Sequence, residues 1–200
     1  MNRVSTLEHL SDEELASKAA EGPRSLFEEL VSRYSMRLFY FLRHKTGSDQ
    51  DIEDLVQETF LKAFKGIDRF DPERKFSTWL YTIAIREAIS HHRSNKKMKH
   101  NPVETSNLPG PEEIVIRKEE SQNIWELATT LPKKEYEALW LRYAEEMPIK
   151  DIARVTKKSP ITVRVLLYRA RMKLAERIDK NAFSKNLAGA SPAKHKFSLL

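Results

Sequence analysis

Three arginines, Arg164, Arg169 and Arg171, follow closely on Ser159-Pro160 and Thr162. Guanidinium forks spaced this way along a helix suit phosphates and guanine edges. A second chemically equipped stretch is FDPERKFSTWLY, residues 70–81, which holds four of the chain's eighteen aromatic residues around a proline-bearing turn. Aromatic faces stack on flat groups, Arg74 and Lys75 can hold phosphate, and Asp71 and Glu73 can accept from base amino groups. Phe70, Asp71, Pro72, Glu73, Arg74 and Lys75 form the expected exposed part, with Phe76 beneath and Trp79 and Leu80 turned inward. Two lines of polar residues flank it in sequence. Asp54, Gln57, Glu58 and Leu61 recur at i, i+3, i+4 and i+7, an acidic face that by default reads as solvated. Arg86, Ser90, Arg93 and Lys97 recur at i, i+4, i+7 and i+11 and make a basic strip.

Other chemistries find no support. His91-His92 with nearby carboxylates would be the metal site of a nuclease reading, but adjacent helical residues diverge by about 100° and the i, i+4 spacing is absent. No glycine loop of the nucleotide-binding kind is present. With no cysteine there is no disulfide framework and no thiolate site. No catalytic residue, metal or cofactor is expected, and the chain does not read as an enzyme. The net charge of +6 is uneven: residues 154–200 hold 12 basic and 2 acidic side chains, against 17 and 16 in residues 1–100. That excess points to a polyanion near the C-terminus. The first residues lack a signal-peptide core, and no run of about 18 apolar residues occurs. The expected location is the cytoplasm, with any membrane connection made through a partner.

The elements that must position these residues are helices, since glycine is scarce and the apolar residues recur at helical spacing. Ser11 to Glu14 is a capping box opening a short helix, stopped at Gly22-Pro23. Leu26, Phe27, Leu30, Val31, Tyr34, Leu38, Phe41 and Leu42 mark a long second helix. Ile52, Leu55, Val56, Phe60, Ala63 and Phe64 mark a third, and Ser77 can cap a fourth. Residues 94–111 are rich in proline and lack periodicity, as in a linker. Beyond it, a helix with Ile124, Trp125 and Ala128 breaks at Leu131-Pro132. Another follows with Tyr136, Leu139, Trp140 and Tyr143 inward. Residues 148–171 have the proportions of a helix-turn-helix, in which Val163, Leu167, Ala170, Leu174 and Ile178 are the buried side of the second helix. Lys157-Lys158 stands where that turn often has glycine. The fold class is all-α: two small helical domains, 1–95 and 112–180, joined by a flexible linker at 96–111, with 181–200 a tail disordered on its own.

DIEDLVQETFLKAFKGIDRF (51–70), FSTWLYTIA (76–84), the proline-rich linker, and LP (131–132) followed by IKDIARVTKKSPITVRVLLYRAR (149–171) together resemble bacterial RNA polymerase sigma factors. The absence of a middle domain makes the chain similar to the extracytoplasmic-function group. The resemblance covers about residues 11–178, in the family's order. It implies a protein that binds core RNA polymerase through the β′ and β subunits and directs transcription initiation, in response to a stress or envelope signal. Asp54, Gln57, Glu58 and Leu61 match the surface that docks on a β′ coiled coil, which overrides the solvated-face reading. The loop with Phe70 to Lys75 matches one that captures an extruded minus-10 base on the non-template single strand, and Arg86, Ser90, Arg93 and Lys97 would run along that strand. Ser159, Thr162, Arg164, Val165, Tyr168, Arg169 and Arg171 would read the minus-35 element as duplex. An anti-sigma factor is an implied partner, membrane insertion is not, and the polymerase-bound protein would associate with the nucleoid.

Two departures stand out. Arg86 and Ser90 replace the asparagine and the acidic or amide residue frequent in the group. Thr162-Val-Arg-Val-Leu166 puts apolar residues where a serine and a base are usual, so that Ile161, Val165, Tyr168 and Met172 line up opposite the core stripe. That stripe suits either thymine methyls or a protein dock. The rival reading, a stand-alone helix-turn-helix regulator, leaves DLVQETF and FSTWLY unexplained.

Overall fold

The computed structural model describes residue 7 and residues 9–45, 49–98 and 119–189. All regular structure there is helical: α1 Asp12–Ala19, α2 Ser25–Arg43, α3 Asp49–Lys65, a 3-10 turn Ile67–Arg69, α4 Phe76–Met98, α5 Glu119–Thr129, α6 Lys133–Tyr143, α7 Ile149–Thr156 and α8 Pro160–Gly189. Residues 99–118, which include most of the predicted linker, lie outside the described residues.

The capping box forms as predicted: the Glu14 N–H donates to Ser11 Oγ at 3.2 Å and the Ser11 N–H to Glu14 Oε2 at 2.8 Å. Gly22 follows because no Cβ fits, as one would sit 2.5 Å from the Lys18 carbonyl oxygen. The stripes of α2, α3 and α4 meet in one core through Leu30, Tyr34, Leu38, Phe41, Ile52, Leu55, Phe60, Phe76, Leu80, Tyr81 and Ala84. Phe64, expected in that stripe, stays 42 % exposed while its ring edge meets Phe27. The start of α4 also differs from expectation. The helix begins at Phe76, and the Phe76 N–H donates to Glu13 Oε1 of α1 at 3.0 Å, so a distant carboxylate does the work assigned to Ser77.

In the second half Leu131-Pro132 separates α5 from α6, and Ser159 caps α8 by accepting from the Thr162 N–H at 3.1 Å. Lys157 closes α7 in the left-handed region (φ 53°, ψ 43°), the conformation that glycine would adopt without strain. The surprise is α6. A single inward face was expected, yet every residue from Glu135 to Leu141 is buried, because α6 is packed by α8 on one side and by the first half on the other. Its acids are paired across both contacts: Glu135 with Lys173 of α8 at 2.9 Å and Glu137 with Lys45, just beyond α2, at 3.4 Å. Tyr143, in the last turn beyond this double contact, is 50 % exposed rather than inward, and Ile124 is 42 % exposed. Ile178 is likewise not buried: the inward register falls on Arg177, whose guanidinium donates to the Thr130 carbonyl at 3.4 Å. Helix α8 continues to Gly189, so the predicted tail begins as helix; residues 190–200 lie outside the described residues.

Candidate nucleic-acid and partner interface

Helices α3 and α4 pack side by side and leave between them a groove of about 690 Å³. Its walls carry Asp54, Gln57, Glu58 and Leu61 from α3 and Glu87, Ser90, His91 and Ser94 from α4. The four residues predicted on one acidic line therefore do share a surface, and Leu61 stands 46 % exposed on it. Lys62 bridges the rim, pairing with Glu58 and with Glu87. Gln50 donates to Asp54 Oδ1 at 3.3 Å, and His91 stands 3.6 Å from Asp51. An acidic trough ending in an exposed leucine suits a basic amphipathic helix. Sequence reasoning missed Glu87, His91 and Ser94. Their signal was the i, i+4, i+7 spacing of Glu87, His91 and Ser94 on α4. Ser90, expected on the basic strip, faces this groove, while Arg86 and Arg93 are exposed. The backbone places Lys97 farther along α4, and its side chain lies outside the described residues.

The loop before α4 divides differently from expectation. Phe70 is buried, 8 % exposed, with its ring 5.7 Å from Phe76 and 5.5 Å from Trp79. It was expected at the surface, but once α4 begins at Phe76 the three rings close into a cluster beneath the turn. Residues Asp71, Pro72, Glu73, Arg74 and Lys75 are exposed above it. The turn is internally braced: Asp71 Oδ1 accepts from the Glu73 N–H at 3.1 Å, and its other oxygen pairs with Arg74 at 3.0 Å. Asp71 is thus already engaged by its own turn. Lys75 leans to Glu13 at 3.6 Å.

On α8 the groups separate cleanly. Ser159, Thr162, Arg164, Val165, Tyr168, Arg169 and Arg171 are all exposed, whereas Val163, Leu167, Ala170 and Leu174 are buried. The Ser159 hydroxyl is 2.9 Å from that of Thr162.

The two halves also meet, through groups whose partners no local pattern named. Arg37 of α2 holds Glu145, in the loop after α6, by Nε to Oε1 at 3.1 Å and a second nitrogen to Oε2 at 2.7 Å. Tyr81 of α4 donates to the same carboxylate at 2.6 Å, and Trp140 Nε1–H donates to the Tyr81 hydroxyl at 3.2 Å. Burial pushes the Glu145 carboxyl up, and Arg37 and Tyr81 draw it back. His44 Nε2 bonds the Leu131 carbonyl at 3.0 Å, and its ring edge meets Tyr136. A cleft of about 460 Å³ beside this junction is lined by Arg37, Lys75, Ser77, Thr78, Glu145 and Pro148 among others, so the base of the 71–75 loop borders it.

A helical bundle with an acidic groove and a braced cationic loop, packed on a helix-turn-helix with an arginine-flanked second helix, has the make-up of a nucleic-acid-binding protein. Two family models match it: Sigma-70 region 2 over residues 30–98 and Sigma-70, region 4 over residues 121–174. The chain is 28 % identical over 171 residues to the ECF RNA polymerase sigma factor SigW of Bacillus subtilis, covering 79 % of this chain and 91 % of that one. It is 29 % identical over 184 residues to the ECF RNA polymerase sigma-E factor of Haemophilus influenzae, covering 86 % and 97 %. Among solved structures, CnrH in complex with the cytosolic domain of CnrY is similar at 26 % identity and a TM-score of 0.58, covering 84 % of this chain and 97 % of that one. The sigma factor RpoE of Bartonella quintana, solved with the anti-sigma factor NepR, shares the fold at 22 % identity and a TM-score of 0.62, covering 78 % and 98 %. The chain belongs to the sigma-70 family of RNA polymerase sigma factors, in its extracytoplasmic-function group. As such it binds core RNA polymerase, recognises promoter DNA and directs transcription initiation. No helix among the described residues is long and apolar enough to cross a membrane.

Proposed function

We propose a division of labour among three surfaces. The groove between α3 and α4 takes a helical element of core polymerase through Asp54, Gln57, Glu58 and Leu61. The 71–75 loop, with Arg86, Arg93 and Lys97, holds the non-template strand at the minus-10 element, and α8 reads the minus-35 duplex. The observation that carries this reading is the segregation of charge on one pair of helices: an acidic groove on one face, and exposed cations on the loop and along α4. Promoter opening needs binding energy that exists only for separated strands. The exposed charges and hydrogen-bonding groups of the 71–75 turn would supply it, against roughly a few kcal/mol to extrude a base. A turn braced by Asp71 over a buried aromatic floor loses little entropy when it engages that strand.

The closed packing of the two halves bears on how this works. Elements about 25 base pairs apart are separated by about 85 Å of duplex at 3.4 Å per pair. A compact body of this chain length is about 40 Å across. Reading both elements at once therefore requires the halves to part. An anti-sigma factor that favours the closed arrangement would hold the chain inactive in the cytoplasm until a stress or envelope signal removes it; the similar CnrH is solved in complex with the cytosolic domain of CnrY.

Run-off transcription with core polymerase on a promoter library tests the assignment. Asp54→Ala with Glu58→Ala should abolish polymerase binding and leave the fold intact. Arg74→Ala with Lys75→Ala should retain polymerase binding and lose strand opening. If wild-type chain added to core polymerase yields no specific transcript from any promoter, the assignment is wrong.

A further inference from the structure

The outward side of α8 is apolar where a base-reading helix usually carries hydrogen-bonding groups. Ile161, Val165, Tyr168 and Met172 are 70, 41, 58 and 54 % exposed. At 100° per residue these four fall within an arc of about 60°, opposite the buried Val163, Leu167, Ala170 and Leu174. Arg164 and Arg171 lie about 70–90° to one side of that arc, and Arg169 and Thr162 about as far to the other. All four flanking residues are exposed.

A helix seated in a major groove turns the centre of its outward side to the base edges and its flanks to the two phosphate walls. Arginines on both margins of an apolar centre fit that geometry, and the local excess of 12 basic over 2 acidic residues favours a polyanion over a protein groove. The apolar feature that DNA presents on the major-groove edge is the C5-methyl of thymine. We propose that α8 selects its minus-35 duplex chiefly by thymine methyl groups, met by Ile161, Val165 and Tyr168, while Arg164, Arg169 and Arg171 hold the backbone. This rests on α8 being the minus-35 reader.

Deoxyuridine is the direct probe, because it removes the methyl of thymine and keeps base pairing and backbone. The full-length chain is first used to select minus-35 duplexes from a random library, and each thymine in the selected site is then replaced singly by deoxyuridine. Contacted positions should lose affinity about threefold to fivefold each, the worth of one buried carbon. The salt slope of binding should not change, since no phosphate contact is lost. In Ile161→Ser and Val165→Ser, which alter exposed positions and should keep the wild-type Tm, the same replacement should cost nothing further. Full affinity with deoxyuridine at every position would overturn methyl reading and leave the stripe as a protein dock. Failure to select any duplex sequence, with or without core polymerase, would instead overturn the assignment of α8 as the reader.

Discussion

Glu145 and Arg37 stand 108 positions apart in the chain and meet as a two-pronged ion pair, with the side chain of Glu145 inaccessible and that of Arg37 34 % exposed. The pair joins the half that carries the 71–75 loop to the half that carries the helix-turn-helix, and Tyr81 and Trp140 complete its hydrogen bonding.

The unequal exposure makes the two truncations unequal. Arg37→Ala strands a buried carboxylate and should weaken the contact between the halves by about 2 kcal/mol, less than for a fully enclosed pair because solvent already reaches Arg37. Glu145→Ala leaves a cation that water can reach and should cost less. Fluorescence transfer between probes on exposed positions of α1 and α8 should show Arg37→Ala the more open of the two.

Acidification should loosen the same contact through His44. Burial, with help from Lys133 and Lys45, holds its imidazole below the ordinary value. Its folded pKa lies under its unfolded one, so its contribution is present above about pH 6.5 and is lost as pH falls through the folded value. Glu145 runs the other way: its raised pKa gives stability in acid that declines as pH rises. The His44 share of the contact between the halves should thus weaken as pH falls below about 6.5, and His44→Phe should abolish that loss and leave the opposite response of Glu145 in the same fluorescence measurement.

Lys157 carries the left-handed turn of the helix-turn-helix with a side chain that strains it, at about 1–2 kcal/mol for an L residue. Lys157→Gly relieves the strain but frees the unfolded chain. A net gain of about 0.5–1 kcal/mol should appear as a Tm about 1–4 °C higher at this chain length.

Glu13 is the remote support of the 71–75 loop, capping α4 and pairing with Lys75. Glu13→Ala should cost about 1 kcal/mol in denaturant unfolding, as loss of a cap does. It should also broaden minus-10 base preference in a promoter selection while polymerase affinity is unchanged. Broadened preference together with weakened polymerase binding would show that the cap supports α4 as a whole rather than the loop.

Much of this protein is legible without a structure, and for a local reason. Capping boxes, helical stripes and the Leu131-Pro132 break depend on residues within a turn or two of each other, so α1 to α8 and the acidic line from Asp54 to Leu61 follow from spacing alone. The outward apolar arc of α8 was likewise readable on a wheel. Tertiary structure decided what depends on which helix lies beside which. It buried Phe70 under the turn it was expected to decorate, gave α4 a cap from α1, and set Ser90 in the acidic groove. It also buried α6 on every side, so that Glu135 and Glu137, which look like solvated charges, pair across two different contacts. Arg37 was the one warning, a charge placed between Tyr34, Leu38 and Phe41 on a core-facing stripe. Its partner could not be named from sequence, because a desolvated ion pair is specified by three-dimensional proximity and leaves no periodicity in the chain.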